Sequence, residues 1–305
     1  MKKINFWILL LIISGLCFVS CQQDGIYIPK QKIKQISVEK TRYYAGDQIG
    51  EKESYREDWK WENNLLKSIR RETAGNIETA EMTYDGKIIK TIEIENKKIS
   101  FSYKNGKISK IETVEGDDSK KITVEVRDKG DIVELHYEIS SDAFADKSSF
   151  GQITSDLGLL NCFILPGNPS EMLQKNLAEQ RNSIAHAKTD KVVMTVTLQY
   201  NAKNVGRLMI ENKTAETKEV YNYNYDAKKN PFFHSFMNLL ELTGAPVFCS
   251  QNNITSSYES SNPTVITRYT YEYDNKEWPV SCEKKTVFDP NFPSDYSLEK
   301  WKYSY

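Results

Sequence analysis

The sequence lacks an excess of charge of either sign. Its 305 residues include 41 Lys and Arg against 42 Asp and Glu, which gives a formal net charge of −1. Nucleic acids and anionic membrane surfaces attract proteins that carry a basic excess or a basic stripe, and no long block of like charge occurs in this chain. The composition therefore excludes nucleic acid as an expected partner and argues against an anionic membrane surface.

The chain also lacks the motifs of common catalytic, cofactor and metal sites. It has three His residues, and His136 lies between Glu134 and Glu138 with no nucleophile motif nearby. Glycine-rich phosphate loops and metal-ligand spacings are missing as well. The carboxylates Glu93 and Glu95 could serve a glycosidase, but they alternate with Ile, which favours a solvated strand face. We therefore expect no enzyme, no cofactor and no metal.

Cysteine is scarce, and none of it forms a C-x-x-C motif. Beyond the N-terminal region the chain holds Cys162, Cys249 and Cys282. Three is an odd number, so at least one thiol stays free or pairs between molecules. The alternatives are buried apolar thiols, or a disulfide between Cys249 and Cys282 in an oxidising exported compartment.

The N-terminus is the most specific signal that is present. "MKKINFWILLLIISGLCFVSC" has Lys2 and Lys3 followed by an apolar run at about 6–19, shorter than the roughly 20 residues of a spanning helix. It predicts an export signal, with a single membrane anchor as the alternative. "FVSC" resembles the lipobox of bacterial lipoprotein precursors, which implies cleavage after Ser20 and acylation of Cys21 with fatty acids such as palmitate. The predicted partner is therefore a lipid bilayer, and the predicted location is the cell envelope, as an outer-membrane lipoprotein facing either the periplasm or the outside.

Internal repeats organise the first half of the mature chain. Each repeat joins an aromatic or apolar residue, a turn rich in Asn, Asp and Gly, and a strand of alternating character. The copies are "WENNLLKSI" from Trp61, "YDGKIIKTI" from Tyr84, "YKNGKISKI" from Tyr103 and, more loosely, "VRDKGDIVEL" from Val126. The dipeptides Asp85-Gly86 and Asn105-Gly106 favour the positive φ angles of tight hairpin turns. The repeats therefore predict an antiparallel meander.

The alternation of apolar and charged residues leaves one face of this meander apolar. A predicted helix that Asn168 caps and Pro169 opens could cover that face. The expected fold is mainly β, an antiparallel meander sheet, open or half-barrel-like, with one or two short helices over its apolar face. The expected organisation is a signal peptide (1–20), a flexible tether (21–32), β-meander repeats (33–140), an apolar and helical connection (141–190) and a β-rich C-terminal domain (191–305).

Three Tyr-rich stretches stand out in the second half. They are "YNYNYDAKKNPF" from Tyr221, "YTYEYDNKEWPV" from Tyr269 and "WKYSY" from Trp301. Period-two alternation places their aromatic rings on one face of each strand. Such ladders either form a core through cross-strand pairs or serve as a platform on which a ligand stacks. The candidate platform residues are Tyr223, Tyr271 and Tyr303.

The first two of these stretches, with "SQNNITSS" between them, resemble a Bacteroidetes lipoprotein family built on a domain of unknown function numbered 4595. The resemblance covers roughly 191–305, and the upstream repeats are more distantly similar to YD-repeat proteins. Glu277 stands where the family usually has Gly, which puts that tight turn in doubt. The family has no assigned activity, so the resemblance implies a lipoprotein with a β-rich fold and no catalytic residues.

The sequence thus predicts a non-enzymatic envelope lipoprotein that binds a ligand or fills a structural role through its sheet. The expected ligand is a glycan or a hydrophobic molecule. The alternative is an envelope hydrolase of the glycosidase type, whose acidic residues converge only in the folded protein.

Overall fold

In the computed structural model, sixteen β-strands form one closed antiparallel barrel. The structure describes residues 24–44, 48–95, 97–115, 120–140, 191–213, 216–233 and 250–305. The strands are β1 (Gln35–Tyr44), β2 (Gln48–Glu62), β3 (Leu65–Thr73), β4 (Asn76–Asp85), β5 (Ile88–Ile94), β6 (Lys97–Lys104), β7 (Lys107–Glu115), β8 (Lys120–Asp128), β9 (Ile132–Ser140), β10 (Lys191–Asn201), β11 (Asn204–Asn212), β12 (Thr217–Tyr225), β13 (Ile254–Glu259), β14 (Asn262–Tyr273), β15 (Pro279–Val287) and β16 (Tyr296–Ser304).

Each strand pairs with its neighbours in sequence, and the first strand pairs with the last. Ile36 of β1 lies opposite Tyr303 of β16, and Val38 lies opposite Trp301. β9 pairs with β10 across the connection 141–190. The strands of 33–140 and those of 191–305 therefore belong to one continuous sheet.

The predicted hairpin turns are confirmed. β4 and β5 meet at Asp85 and Ile88, with Gly86 at a φ of 60°. β6 and β7 meet at the next turn, where Asn105 and Gly106 have φ angles of 53° and 75°. Asn105 and Gly106 are therefore two successive residues in the left-handed region, which matches the twist of the flanking strands.

The predicted open or half-barrel-like sheet is wrong, because β1 and β16 close it into a barrel. Closure pairs the two edge strands and turns the apolar face inward, where strands of the same sheet and the chain's own N-terminal segment cover it. The described residues contain no helix that could act as a cover. The helix predicted from Asn168 lies outside the described residues.

The core lies inside the barrel and is concentrated towards one end. We call this the plug end; it carries the turns at 63–64, 86–87, 105–106 and 202–203. The opposite end, here the loop end, carries the turns at 74–75 and 260–261 and the connection 288–295. The largest fully buried side chains are Trp301, Tyr27, Tyr137, Ile33, Ile36, Leu66, Ile69, Met82 and Ile89.

The N-terminal segment 24–34 closes part of the plug end. The Asp24 N–H donates to the carbonyl of Gly106 (3.0 Å), and the Ile89 N–H donates to the carbonyl of Gly25 (2.9 Å). Tyr27, which is 2% exposed, donates its hydroxyl to the carbonyl of Pro231 (2.8 Å). From residue 24 onward, the range assigned to a flexible tether (21–32) is therefore packed against the barrel, because backbone hydrogen bonds hold Asp24 and Gly25 and the Tyr27 side chain enters the core.

Pro231 belongs to the second part of the plug, residues 230–233, which follow β12. Phe232 is 2% exposed, and its ring lies 6.1 Å from that of Trp59 and 6.3 Å from that of Tyr303. The Trp61 indole donates to the carbonyl of Ile33 (2.6 Å). Together, the two segments fill the plug end with apolar and aromatic side chains.

Candidate functional site

Along β1 and β2, the inner face of the barrel changes from apolar to polar between the plug end and the loop end. Along β1, Ile36 and Val38 are buried, whereas the next inward residues, Lys40 and Arg42, are half-buried. Along β2, inward positions pass from buried Trp59 and Glu57 to half-buried Tyr55 and exposed Glu53. On these two strands, solvent therefore reaches the inner face from the loop end, and the residues that it meets are polar.

A row of charged side chains crosses this polar part of the inner face. Tyr269 of β14 lies opposite Lys284 of β15, which lies opposite Glu299 of β16. The row continues with Lys40 opposite Glu299 and Glu53 opposite Lys40. Directly opposite residues are close enough for their side chains to interact, and the charges here alternate in sign. We call these five residues the charged row.

The centre of the charged row is a buried ion pair. Lys284 Nζ lies 2.8 Å from Glu299 Oε1, with side chains 8% and 4% exposed. Charges are desolvated at a cost of several kcal/mol each, so a buried pair persists where its geometry is good and further polar groups surround it. Burial raises the pKa of the neighbouring Tyr269 to about 12, although the charge of Lys284 and a hydrogen bond with Ser257 lower it. Tyr269 is therefore a neutral hydroxyl beside the pair.

A second row, nearer the loop end, consists of hydroxyl side chains. Ser257 lies opposite Thr267, Thr267 opposite Thr286, and Thr286 opposite Ser297. The hydroxyls of Thr267 and Thr286 are 3.1 Å apart. Arg42 of β1 follows Ser297 in the same line. This hydroxyl row and the charged row form the candidate site, because they place donors and acceptors side by side on the inner face of the barrel.

Glu57 adds a buried carboxyl group to the inner face. It is fully buried, and it accepts a hydrogen bond from the Trp59 indole (3.2 Å). Burial raises the pKa of Glu57 from 4.5 to about 8, against a smaller lowering by Arg71. Glu57 Oε1 and Trp301 Nε1 are buried without a hydrogen-bond partner among the described residues. Buried polar atoms of this kind are where ordered water or a ligand is expected.

Aromatic side chains stand at the rim of the loop end. Phe288, Phe292 and Tyr44 are 46%, 59% and 46% exposed. The Arg42 guanidinium lies 3.8 Å from the centre of the Phe288 ring and 5.2 Å from that of Tyr44. Exposed rings that neighbour a polar surface offer faces on which a ligand can stack.

The structure places the three candidate platform residues on the inner face, nearer the plug end. Tyr223 and Tyr303 are 7% and 8% exposed, and Tyr271 is half-buried against the core. Burial raises the pKa of all three hydroxyls. This position fits the core alternative, because a stacking platform needs an open ring face. Cys21, the predicted acylation site, lies outside the described residues.

The structure also locates several residues that the sequence singled out for other reasons. Cys282 is a buried free thiol beside Tyr271, and burial raises its pKa. It therefore matches the alternative of a buried apolar thiol, while Cys249 lies outside the described residues. His136 is 3.2 Å from the Glu134 carboxylate on the outer face. In the described ranges, no group of three His, Cys, Asp or Glu side chains is placed to hold a metal ion.

The outer face of the barrel is charged along its strands. Glu93 pairs with Lys98 (2.9 Å), and both side chains are at least half exposed. Lys110 pairs with Glu112 at 2.8 Å. Glu93, one of the two carboxylates considered for a glycosidase, therefore belongs to a solvated mixed-charge surface, as its alternation with Ile indicates. Nowhere in the described ranges is there a helix long and apolar enough to cross a membrane.

Sequence reasoning missed the charged row. Lys284 and Glu299 occur in "CEKKT" and "SLEKW", where charged residues fill both faces of the strand and only the pairing register selects the inward ones. One signal could have found them. Stepping back two residues at a time from the inward ring of Trp301 leads to Glu299 and Ser297, so the aromatic ladder itself sets the phase.

Comparisons with known proteins identify the fold. No protein-family model matches the chain, and no curated protein matches it. Among solved structures, a porin-like protein from Bacteroides uniformis ATCC 8492 aligns over 90% of this chain and 98% of its own, with 11% identity and a TM-score of 0.51. A porin-like protein from Bacteroides vulgatus ATCC 8482 aligns over 90% and 99%, with 9% identity and a TM-score of 0.46. At these identities the likeness concerns the barrel fold alone.

Proposed function

We propose that this protein is an envelope lipoprotein, acylated at Cys21, whose barrel binds a glycan without catalysis. The observation that carries the binding role is the pair of polar rows inside the barrel, with the buried Lys284–Glu299 ion pair at their centre. Sugars are recognised by hydroxyl, carboxylate and ammonium groups together with aromatic faces, and the inner face and its rim combine these groups.

The arrangement favours a glycan over a hydrophobic molecule. The plug end holds apolar side chains such as Ile36, Met82 and Ile89, which are fully buried among their own neighbours. The inner face that solvent reaches carries Lys40, Glu53 and other polar groups instead. A ligand that enters from the loop end therefore meets hydrogen-bonding groups first.

The lipid on Cys21 explains how such a barrel stays in the envelope. Barrels that span a bilayer present an apolar band to lipid, and charged side chains on that face are costly at membrane depth. The strands here carry Glu93, Lys98, Lys110 and Glu112 on the outer face. A lipid attached at Cys21 holds the protein at an outer-membrane leaflet without placing this charged surface in hydrocarbon.

A glycan array followed by titration calorimetry tests the binding role. The double variant Lys284→Met/Glu299→Gln removes both charges and avoids leaving one buried and unpaired. We expect it to keep its circular dichroism spectrum and to bind the best array glycan at least about tenfold more weakly, which is the loss of roughly one strong hydrogen bond. The matched control is Glu93→Gln/Lys98→Met on the outer face. Unchanged affinity in the inner variant, or an array without a hit, would overturn the proposal.

A glycosidase-like hydrolase is the second candidate, and one observation favours it. Glu259 lies opposite Tyr221 in the pairing of β12 with β13, and the Tyr221 hydroxyl donates a hydrogen bond to Glu219. Glycosidases use two carboxyl groups about 5–10 Å apart. Mass spectrometry of the incubated glycan separates the two functions. An intact glycan supports binding, whereas a shortened product that disappears with Glu219→Gln or Glu259→Gln supports hydrolysis.

A further inference from the structure

We propose that the plug end of the barrel rests against the lipid headgroups and that the loop end, with the candidate site, faces away from the bilayer. The inference rests on the proposed acylation of Cys21. It goes further by assigning an orientation, an interaction surface and a partner, namely the headgroup surface of the leaflet that holds the acyl chains.

Asp24 is fixed to the turn between β6 and β7. Its N–H donates to the carbonyl of Gly106 (3.0 Å), and its carboxylate accepts from the N–H of Ile108 (3.1 Å) and from Lys107 Nζ (3.4 Å). The next residue is held as well, since the carbonyl of Gly25 accepts from the Ile89 N–H (2.9 Å). The chain that leads towards Cys21 therefore departs from the plug end at a defined point.

The remaining chain is too short to let the barrel turn freely. Asp24 follows Cys21 by three residue steps, and an extended chain spans at most about 3.3–3.6 Å per step, or about 10–11 Å here. The headgroup region on each side of a bilayer is roughly 5–8 Å thick. An acyl chain on Cys21 therefore brings the β6–β7 turn to the headgroup surface, whereas the loop end lies a full strand length further out.

The surface around Asp24 suits a headgroup layer. Ile28 is 42% exposed beside the buried Tyr27. Lys30, Lys87 and Lys104 are exposed in the same segment and in the neighbouring turns. An exposed apolar side chain among lysines can enter the headgroup region while the ammonium groups meet phosphates. The candidate site would then face ligands in the aqueous phase, which is consistent with a glycan as the ligand.

Energy transfer to labelled lipids tests the orientation in the acylated chain. A donor dye is placed on Asn105→Cys at the plug end or on Asn76→Cys at the loop end, with Cys162→Ser and Cys249→Ser in both and the buried Cys282 retained. The protein is reconstituted in phosphatidylethanolamine and phosphatidylglycerol vesicles that contain a headgroup-labelled acceptor. We expect transfer from position 105 to be at least about twofold more efficient than from position 76.

A matched variant carries a 20-residue Gly-Ser insertion between Gln23 and Asp24, which leaves every contact of Asp24 in place. We expect the insertion to remove most of the difference between the two dyes. Equal transfer from both positions in acylated, vesicle-bound protein would overturn the orientation while leaving the lipoprotein intact. Mass spectrometry that finds Cys21 unmodified, with protein that does not float with the vesicles, would overturn the proposed function and the orientation together.

Discussion

The hydroxyl of Tyr84 donates a hydrogen bond of 2.6 Å to the backbone carbonyl of Leu66, eighteen residues earlier in the chain. The same contact recurs around the plug end. Tyr103 donates to Ile89 (2.6 Å), Tyr225 to Val205 (2.7 Å) and Tyr305 to Pro279 (2.8 Å). In each case a Tyr at the end of one strand binds the start of the strand before it. The Tyr that recurs in the sequence thus forms a recurring hydrogen bond between neighbouring strands. We call each of these Tyr–carbonyl hydrogen bonds a clasp.

Removing one clasp should weaken the fold modestly. Tyr84→Phe keeps the ring and deletes the hydroxyl, which leaves the Leu66 carbonyl without this donor. We expect a loss of about 0.5–1.5 kcal/mol in the free energy of unfolding, measured by urea titration. Tyr44→Phe, on an exposed side chain, is the matched control and should change stability by less than about 0.5 kcal/mol. Equal stability of the two variants would contradict a structural role for the clasp.

Gly25 offers a test of the plug. It has a φ of +80°, and a Cβ there would lie 2.3 Å from the Tyr103 hydroxyl oxygen. Gly75 has a similar φ of +88°, but a Cβ there meets no described atom within 4 Å. Both Gly→Ala variants pay the left-handed backbone cost of about 1–2 kcal/mol, and Gly25→Ala should lose about 1–3 kcal/mol more by crowding Tyr103. Identical melting temperatures for the two would show that segment 24–34 does not pack as described.

The buried Glu57 predicts a pH dependence of stability. Its pKa is raised to about 8 in the folded protein, from 4.5, so the folded state holds a proton that the unfolded state releases between these values. Stability should therefore fall as the pH rises from about 5 to 8. Glu57→Gln should remove this decline. Between pH 5 and pH 8, its free energy of unfolding should rise relative to that of the wild type by up to about 3 kcal/mol. Urea titrations at pH 5 and pH 8 measure the effect, with Glu93→Gln as the exposed control. The same change in the free energy of unfolding for the wild type and Glu57→Gln would refute it.

The aromatic ladders give a fourth stability test. Tyr223, Tyr271 and Tyr303 pack on the inner face, so replacing each by Ala should cost about 3–5 kcal/mol. Thermal melts of the three single variants, with exposed Tyr44→Ala alongside, measure these costs. A variant that melts like the wild type and loses glycan affinity would instead restore the platform interpretation for that residue.

Local features of the fold could be read from the sequence, and its closure could not. Asn105-Gly106 predicts its hairpin because the required φ angles belong to two adjacent residues. The pairing of Val38 with Trp301 depends on strands at opposite ends of the chain, and no local pattern specifies it. Glu277 is an intermediate case. It keeps a φ of +68° where the resembled family has Gly, and Lys228 Nζ lies 2.7 Å from its carboxylate.

The candidate site could not be predicted from the sequence for a related reason. The charged row exists because register places Glu299 opposite both Lys284 and Lys40. In the sequence these residues look like the solvated charges of any strand, and their burial follows from the closure of the barrel. Composition argues against a nucleic-acid partner, but it does not show that an ion pair lies inside the barrel.

The central proposal is that this barrel turns its charged outer face to water and is held in the envelope by lipid at Cys21. The direct test is to produce the chain from Gln22 onward, without its first 21 residues, in buffer free of detergent. We expect this chain to remain in the supernatant after ultracentrifugation, to show the circular dichroism of a β-barrel and to leave added vesicles unbound. A chain that needs detergent to stay dispersed, or that inserts into the vesicles unaided, would contradict the account.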